Sequence, residues 1–416
     1  MAPELRFHCY TEALIHLETL IEPDGLQHLI GEFIGNADGP TLIAVGSVHG
    51  NEPSGRLSLE RVATKLGSII GRLNGRVFFL VGNVRALAKS VRYVDSDLNR
   101  HWTTENIRRN TATSDLGTVE DREQSELLSI FREILSSARD EVFVLDLHTT
   151  SAGGVPFATV GDTLRNRRFA RTLPVTILLG IEEQLEGTML EFLNNEGAVT
   201  LGFEAGQHAS AEAIANHEAL VWLALVNSGV LALRDAPHID SYDKTLSSAT
   251  GQAKVLEVRH REPVASNDEF EMKPGFKNFD PVKRGQVLGK KRTGAINASA
   301  AGLILMPLYQ RQGEDGFFIV RSIEPFWLKV SEFLRRLKIA DYIHLLPGVR
   351  RHPKHREALL IDTTIARFFP LQIFHLLGFR KLRWQKNFLS VTRRRHDTVS
   401  PFSTKSAKYG RQDSRK

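Results

Sequence analysis

Gly46-Ser-Val-His-Gly-Asn-Glu-Pro-Ser-Gly55 decides how the rest of this 416-residue chain is read. It follows Thr41-Leu-Ile-Ala-Val45, a short apolar run rich in β-branched residues, which predicts a buried strand. Pro53 and the amphipathic segment 56–69 predict the first turns of a helix. His49 and Glu52 therefore stand where a strand hands over to a helix, the edge at which open α/β sheets bind ligands. An imidazole and a carboxylate three residues apart in a Gly-flanked turn can face one ion. Two His and one Glu form an attested ligand set for catalytic zinc that leaves a position open for water. For the pair alone, the plainer reading is a loop His and a helix-start Glu drawn to the positive end of the dipole. A third ligand downstream would decide between them.

Glu141-Val-Phe-Val-Leu-Asp-Leu-His-Thr149 supplies that candidate. It reads as a strand whose alternation puts Asp146 and His148 on one face of its end. His148 is the expected third ligand. Asp146 is either a partner that orients an imidazole or a capped strand terminus. Farther on, Ala198-Val-Thr-Leu-Gly-Phe-Glu204 reads as another strand ending in an acid. A metal-activated water needs a carboxylate to take its proton and pass it to a leaving nitrogen, and Glu204 is the candidate. Arg92, Asn99 and Arg100 lie in a polar, turn-prone stretch and offer polar and cationic groups to a developing oxyanion or a substrate carboxylate.

Composition sets the outer limits. With 42% hydrophobic and 25% charged residues the chain is an ordinary soluble globular type, long enough for two or three domains. Its one cysteine, Cys9, excludes an internal disulfide and a thiolate zinc cluster, and fits a reducing, cytoplasmic setting. The first residues carry an acid and no long apolar run, so no signal peptide is expected. No stretch approaches the ~20 apolar residues of a membrane span. Charge is unevenly spread: residues 326–416 hold 21 Lys and Arg against 6 Asp and Glu, a local +15. That leaves 33 of the 54 basic and 42 of the 48 acidic residues before them, or −9. A mildly acidic body carries a basic C-terminal segment.

Strands alternating with helices to about residue 240 predict an α/β domain with a mixed or parallel sheet. From 250 to 325 short β-type runs separated by Gly and Pro predict a small β domain. Residues 326–392 show helical periodicity at 326–339 and 363–377, and 393–416 read as a basic, disordered tail.

Gly46-Ser-Val-His-Gly-Asn-Glu52, Arg92-Tyr-Val-Asp-Ser-Asp-Leu-Asn-Arg100, Asp146-Leu-His148 and Gly202-Phe-Glu204 together resemble the succinylglutamate desuccinylase/aspartoacylase family, a branch of the carboxypeptidase A-like zinc hydrolases. The four motifs come in the family's order, and the resemblance covers roughly residues 41 to 320. It implies a carboxypeptidase-like α/β domain with a mixed sheet flanked by helices, and a smaller C-terminal β domain that narrows the site. It implies one zinc held by His49, Glu52 and His148, with Glu204 as general acid/base and Arg92 steadying the oxyanion. Asn99 and Arg100 would grip the substrate carboxylate, and Tyr309 would reach the pocket from the β domain. The activity implied is hydrolysis of an N-acyl amino acid to a carboxylic acid and a free amino acid. The segment after Pro325 lies outside the resemblance.

Two other readings stay open. One is a zinc carboxypeptidase acting on peptides. The other makes the basic segment, with Arg350-Arg351, Arg380-Lys-Leu-Arg383 and Arg393-Arg-Arg395, a binder of nucleic acid or anionic membrane. A solvated basic face is the blander account of that segment, so nucleic acid is not the expected partner.

Overall fold

The computed structural model describes residues 27–402, apart from 114, 209, 266, 354–357, 363–364, 366–373, 375 and 386–387. Cys9 and residues 403–416 lie outside this range. An eleven-stranded mixed sheet runs through the molecule. Its first part comprises β1 (Leu29–Ile34), β2 (Thr41–Gly46), β3 (Arg76–Val81), β4 (Val142–Thr150), β5 (Phe157–Val160), β6 (Thr176–Leu179) and β7 (Val199–Gln207). The chain continues through β8 (Val255–Pro263), β9 (Glu271–Met272), β10 (Pro281–Val282), β11 (Val287–Lys291), β12 (Gly294–Asn297), β13 (Gly302–Leu305) and β14 (Asp315–Ser322). The sheet order is β1-β3-β2-β4-β7-β5-β6-β8-β14-β13-β10, with β3, β2, β4 and β7 parallel at its centre.

Helices cover both faces: α1 (Ser54–Gly67), α2 (Val84–Ala88), α3 (Thr104–Ala112), α4 (Val119–Ser136), α5 (Leu164–Ala170), α6 (Met189–Asn195), α7 (Ala211–Asn227) and α8 (Ile239–Thr250). The unbroken apolar run of β2 follows from this layering. Leu42 and Ala44 pack under α1 and α7, while Ile43 and Val45 face α4 and α6. All four are fully buried, and a strand covered on both faces has no polar side to show. At roughly 1.5–3 kcal/mol for each large aliphatic side chain, this burial outweighs any local preference. Helix α4 begins at Thr118, whose hydroxyl caps the Asp121 N–H while the Asp121 carboxylate returns the bond.

Beside β1, His28 Nε2 lies 2.9 Å from Glu126 Oε2, and Arg85 binds Glu126 and Glu123 at 3.0 and 2.9 Å. Arg85 supplies the cation this acidic cluster needs. Burial opposes ionisation of Glu126, but His28 and Arg85 outweigh it and hold the carboxyl at about 2, below its ordinary 4.5. A depressed carboxylate contributes stability above its unfolded value and loses it as pH falls toward its folded one. Urea titrations at pH 5.5 and pH 3 should therefore show a loss of up to ~3 kcal/mol from this group. Glu126→Gln should flatten that part of the dependence; an unchanged slope would remove Glu126 from the account.

The C-terminal part departs from expectation in three ways. The β-rich segment is not a separate sheet, because β8, β14, β13 and β10 extend the central one and only β9, β11 and β12 form their own. The extension is not simply helical. After α9 (Pro325–Arg336), which matches the first expected helix, come β15 (Val349–Arg351), β16 (Ala358–Asp362), β17 (Phe379–Gln385) and β18 (Phe388–Arg393) in one antiparallel sheet. Leu389 and Val391 of β18 alternate inward onto Phe374 and Phe379, a period-two pattern hidden in the sequence by the surrounding Lys and Arg. Most of the second expected helix, 363–377, lies outside the described residues. Finally, residues 393–402 are not a loose tail. Arg394 is buried against Glu182 and Glu183, and Asp397 accepts the Leu164 N–H at 2.8 Å and faces Arg335 at 3.3 Å.

Candidate metal centre

The turn after β2 is compressed, and its glycines are the reason it can be. A Cβ on Gly46 would sit 2.5 Å from the Arg56 nitrogen, and one on Gly50 would sit 2.1 Å from the Ala86 carbonyl carbon. Ser47 takes a left-handed φ of 58° and donates its hydroxyl to the Glu52 carbonyl at 3.0 Å. The Gly50 N–H donates to the Arg92 carbonyl at 3.1 Å, tying the turn to the Arg92 loop. That loop hangs from the start of α4, where buried Glu120 accepts the Val94, Asp95 and Ser96 N–H groups at 2.7–3.2 Å. The sequence shows Glu120 only as an acid in a first helical turn.

His148 ends β4 and is the register partner of Glu204 on β7. This brings together four residues spread over 156 positions of chain. His49 Nδ1 faces Glu52 Oε1 at 2.9 Å and His148 Nδ1 faces Glu52 Oε2 at 3.3 Å, while Oε2 also accepts the Thr149 N–H at 2.7 Å. One ligand atom from each of His49, Glu52 and His148 falls within 4.8 Å of the others, all three buried. Behind each imidazole stands a second acid. His49 Nε2 meets Asp97 Oδ1 at 3.2 Å, and His148 Nε2 lies 2.9 Å from Asp146 Oδ2 without hydrogen-bond alignment. A carboxylate behind each ligating imidazole is how metal sites fix ring orientation and tautomer. Buried His217 holds the strand end from α7, its Nε2 3.1 Å from the His148 carbonyl.

The electrostatics show a centre that calls for positive charge. Burial alone would protonate Glu52, yet His49 and His148 hold its carboxyl well below the usual range. Burial alone would neutralise His148, yet Asp146 and Glu52 raise it well above an ordinary imidazole. A buried pair of imidazoles around a carboxylate fits a divalent cation in that place. Glu204 opens partly onto the cavity, but its Oε2 is buried with no hydrogen-bond partner. Burial pushes its carboxyl up to about 8; His148 pulls it down, and Glu52 and Asp146 add to the rise.

Arg92 reaches the same centre, with Nη2 2.9 Å from Asp97 Oδ2 and Nη1 3.7 Å from Glu52 Oε1. Its Nε is buried without a partner. Asn99 accepts the Met189 N–H at 2.9 Å, so it pins the start of α6. Arg100 meets Asp315 of β14 at 3.2 Å. These residues line one cavity of about 760 Å³ with His49, Glu52, His148 and Glu204. Tyr309 is not among the lining residues. Its hydroxyl donates to the Lys273 carbonyl and accepts the Phe276 N–H, both at 2.9 Å, so it holds a surface turn. The next residue, Gln310, enters instead, 3.1 Å from both Asn51 Nδ2 and His208 Nε2. Sequence reasoning missed Asp97, His208 and Gln310; only Asp97, inside a quoted motif, carried a signal.

Two buried histidines and a glutamate that could hold a metal ion, at the central strand ends of a mixed α/β sheet, define the general class of the site. Residues 38–226 match the model of the succinylglutamate desuccinylase/aspartoacylase catalytic domain, and the chain belongs to that family. A probable aspartoacylase of Acaryochloris marina is 31% identical over 133 residues, 32% of this chain and 42% of that protein. The alignment thus spans less than half of that relative. An N-acyl-aromatic-L-amino acid amidohydrolase (carboxylate-forming) of Xenopus laevis is 24% identical over 270 residues, 61% of this chain and 83% of that protein. Among solved structures, a succinylglutamate desuccinylase/aspartoacylase from Rhodobacter sphaeroides is 18% identical with a TM-score of 0.52, over 71% of this chain and 88% of that one. A succinylglutamate desuccinylase from Vibrio cholerae is also 18% identical, with a TM-score of 0.50 over 70% and 85%. At such identities the likeness is one of fold.

Proposed function

We propose that this chain is a zinc-dependent deacylase that hydrolyses the amide bond of an N-acyl amino acid, releasing a carboxylic acid and a free amino acid. The observation that carries this reading is the buried His49–Glu52–His148 cluster with an unsatisfied Glu204 carboxylate as its register neighbour. The names of the relatives, aspartoacylase and N-acyl amino acid amidohydrolase, support it. His49, Glu52 and His148 would hold one zinc ion, which when bound polarises a carbonyl and lowers the pKa of water toward ~7.

The chain's own groups would do the rest. Glu204 takes a proton from the attacking water as the carbon–oxygen bond forms, and returns it to the amide nitrogen as the carbon–nitrogen bond breaks. Arg92, held by Asp97, presents a guanidinium to the developing oxyanion. Arg100 and Asn99 are the proposed carboxylate-binding pair, with Arg100 already aimed by Asp315. Trp102, Ile107, Leu190 and Phe192 give the cavity apolar wall, and Thr392 and Arg394 of the extension close part of it. A cavity of this size takes substrates larger than an acetylated amino acid. Glu52, Glu204 and both His residues require no external redox partner, and the single cysteine supports a reducing, cytoplasmic setting.

Metal analysis of the purified protein, paired with a panel of N-acyl amino acids and a peptide, tests the reading. One zinc per chain and turnover of N-acyl amino acids are expected. Cleavage of the peptide alone would make it a carboxypeptidase. Asp97→Ala should weaken metal retention by about 10–100-fold in a chelator competition, because it frees the His49 ring. Retention equal to the parent would show that Asp97 serves Arg92 instead.

A further inference from the structure

Helix α9 is turned inside out. Its buried face is polar: Ser331 and Arg335 have no exposure, alongside Leu328. Arg335 donates to the Asp162 carboxylate and carbonyl at 2.8 Å and to the Leu376 carbonyl at 3.1 Å, and Ser331 donates to the same Leu376 carbonyl at 2.7 Å. These bonds fix the rotation of the helix. At 100° per residue, Phe326, Val330, Phe333 and Leu337 then form a single stripe opposite Arg335. Phe326 is 64% exposed and Phe333 62%, where a helix of this amphipathicity would normally bury them. The surface continues through exposed Ile339, Tyr342 and Leu345 in the short turns that follow, with Trp327 beside Phe326. Exposed Lys329, Lys338, Arg350 and Arg351 lie along or next to it.

We infer that this face docks on an anionic lipid bilayer. Aromatic and leucine side chains on one face with lysines and arginines around them are the makeup of helices that lie in the membrane interface. No helix among the described residues is long and apolar enough to cross a membrane, so α9 would lie flat on the surface. A second copy of the chain is a poorer occupant, because pairing the faces would bring two segments of +15 together. A bilayer bearing negative headgroups attracts that charge instead. The inference does not rest on the proposed hydrolysis.

The test is co-sedimentation of the full chain with vesicles of phosphatidylcholine, with and without phosphatidylglycerol. The protein should pellet with the anionic vesicles at low salt and be released at high salt. F326S/F333S should bind about tenfold less or weaker still, with its thermal melt unchanged because both positions are exposed. K329E/K338E should also lose binding, on the anionic vesicles only. Three results would overturn the assignment: parent protein left in the supernatant with anionic vesicles, F326S/F333S binding like the parent, or a dimer in light scattering that F326S/F333S dissociates. Equal retention on a single-stranded oligonucleotide would give the face to nucleic acid.

Discussion

Glu204→Gln is expected to lower kcat by about 10²–10⁴, the usual worth of a positioned proton carrier, while the metal content stays at that of the parent. The amide keeps the size and the hydrogen-bonding reach of the carboxyl but cannot shuttle a proton. Glu204 is not one of the three clustered ligands, so its loss should leave His49, Glu52 and His148 in place. Its environment suits the role. Burial pushes the carboxyl up to about 8, which makes it basic enough to take a proton at neutral pH. A variant with unchanged kcat would remove Glu204 from the mechanism, and one that loses the metal would make it a ligand.

Arg335→Met should cost about 3–5 kcal/mol, the penalty for removing one partner from a buried charge network. The guanidinium has no exposure and lies between Asp162 at 2.8 Å and Asp397 at 3.3 Å. Burial opposes the ionised form of Asp162, yet Arg167 and Arg335 hold its carboxyl far below the usual range. Without Arg335, Asp162 keeps Arg167, but Asp397 keeps only its bond from the Leu164 N–H among those described here. The loss should fall on the docking of residues 326–402, because Arg335 is where that segment is nailed to α5. Hydrogen exchange should rise in α9 and β18 and much less in β2, β4 and β7. Adding Asp397→Asn should recover part of the loss, since it removes the stranded charge. Uniform exchange across the chain would show that the extension is not a separately released unit. Because Thr392 and Arg394 line the cavity, its release should also raise KM.

Much of the central sheet was legible because its signals are local. Val45 and Ile43 belong to an unbroken apolar run, and such a run with turn residues at each end means a strand covered on both faces. The turn at His49 and Glu52 was legible for the same reason: ligand spacing, flanking glycines and the following helix all lie within ten residues. Helix α4 was announced by its acids and its Thr118 cap. Tyr309 shows where this stops. A tyrosine one position from the pocket looks in sequence like one inside it, and a one-residue difference in a loop swapped it for Gln310.

Strand and helix identity, the apolar faces and the residue types able to hold a cation were written into the order of side chains, because each depends on neighbours a few positions away. The meeting of His148 with Glu52, the placing of Asp97 behind His49 and the joining of β8 and β14 to the central sheet were decided only on folding. So was the outward turn of Phe326 and Phe333. Each of these rests on pairing between segments far apart in the chain, and the period of a segment says which face it will bury without saying against what.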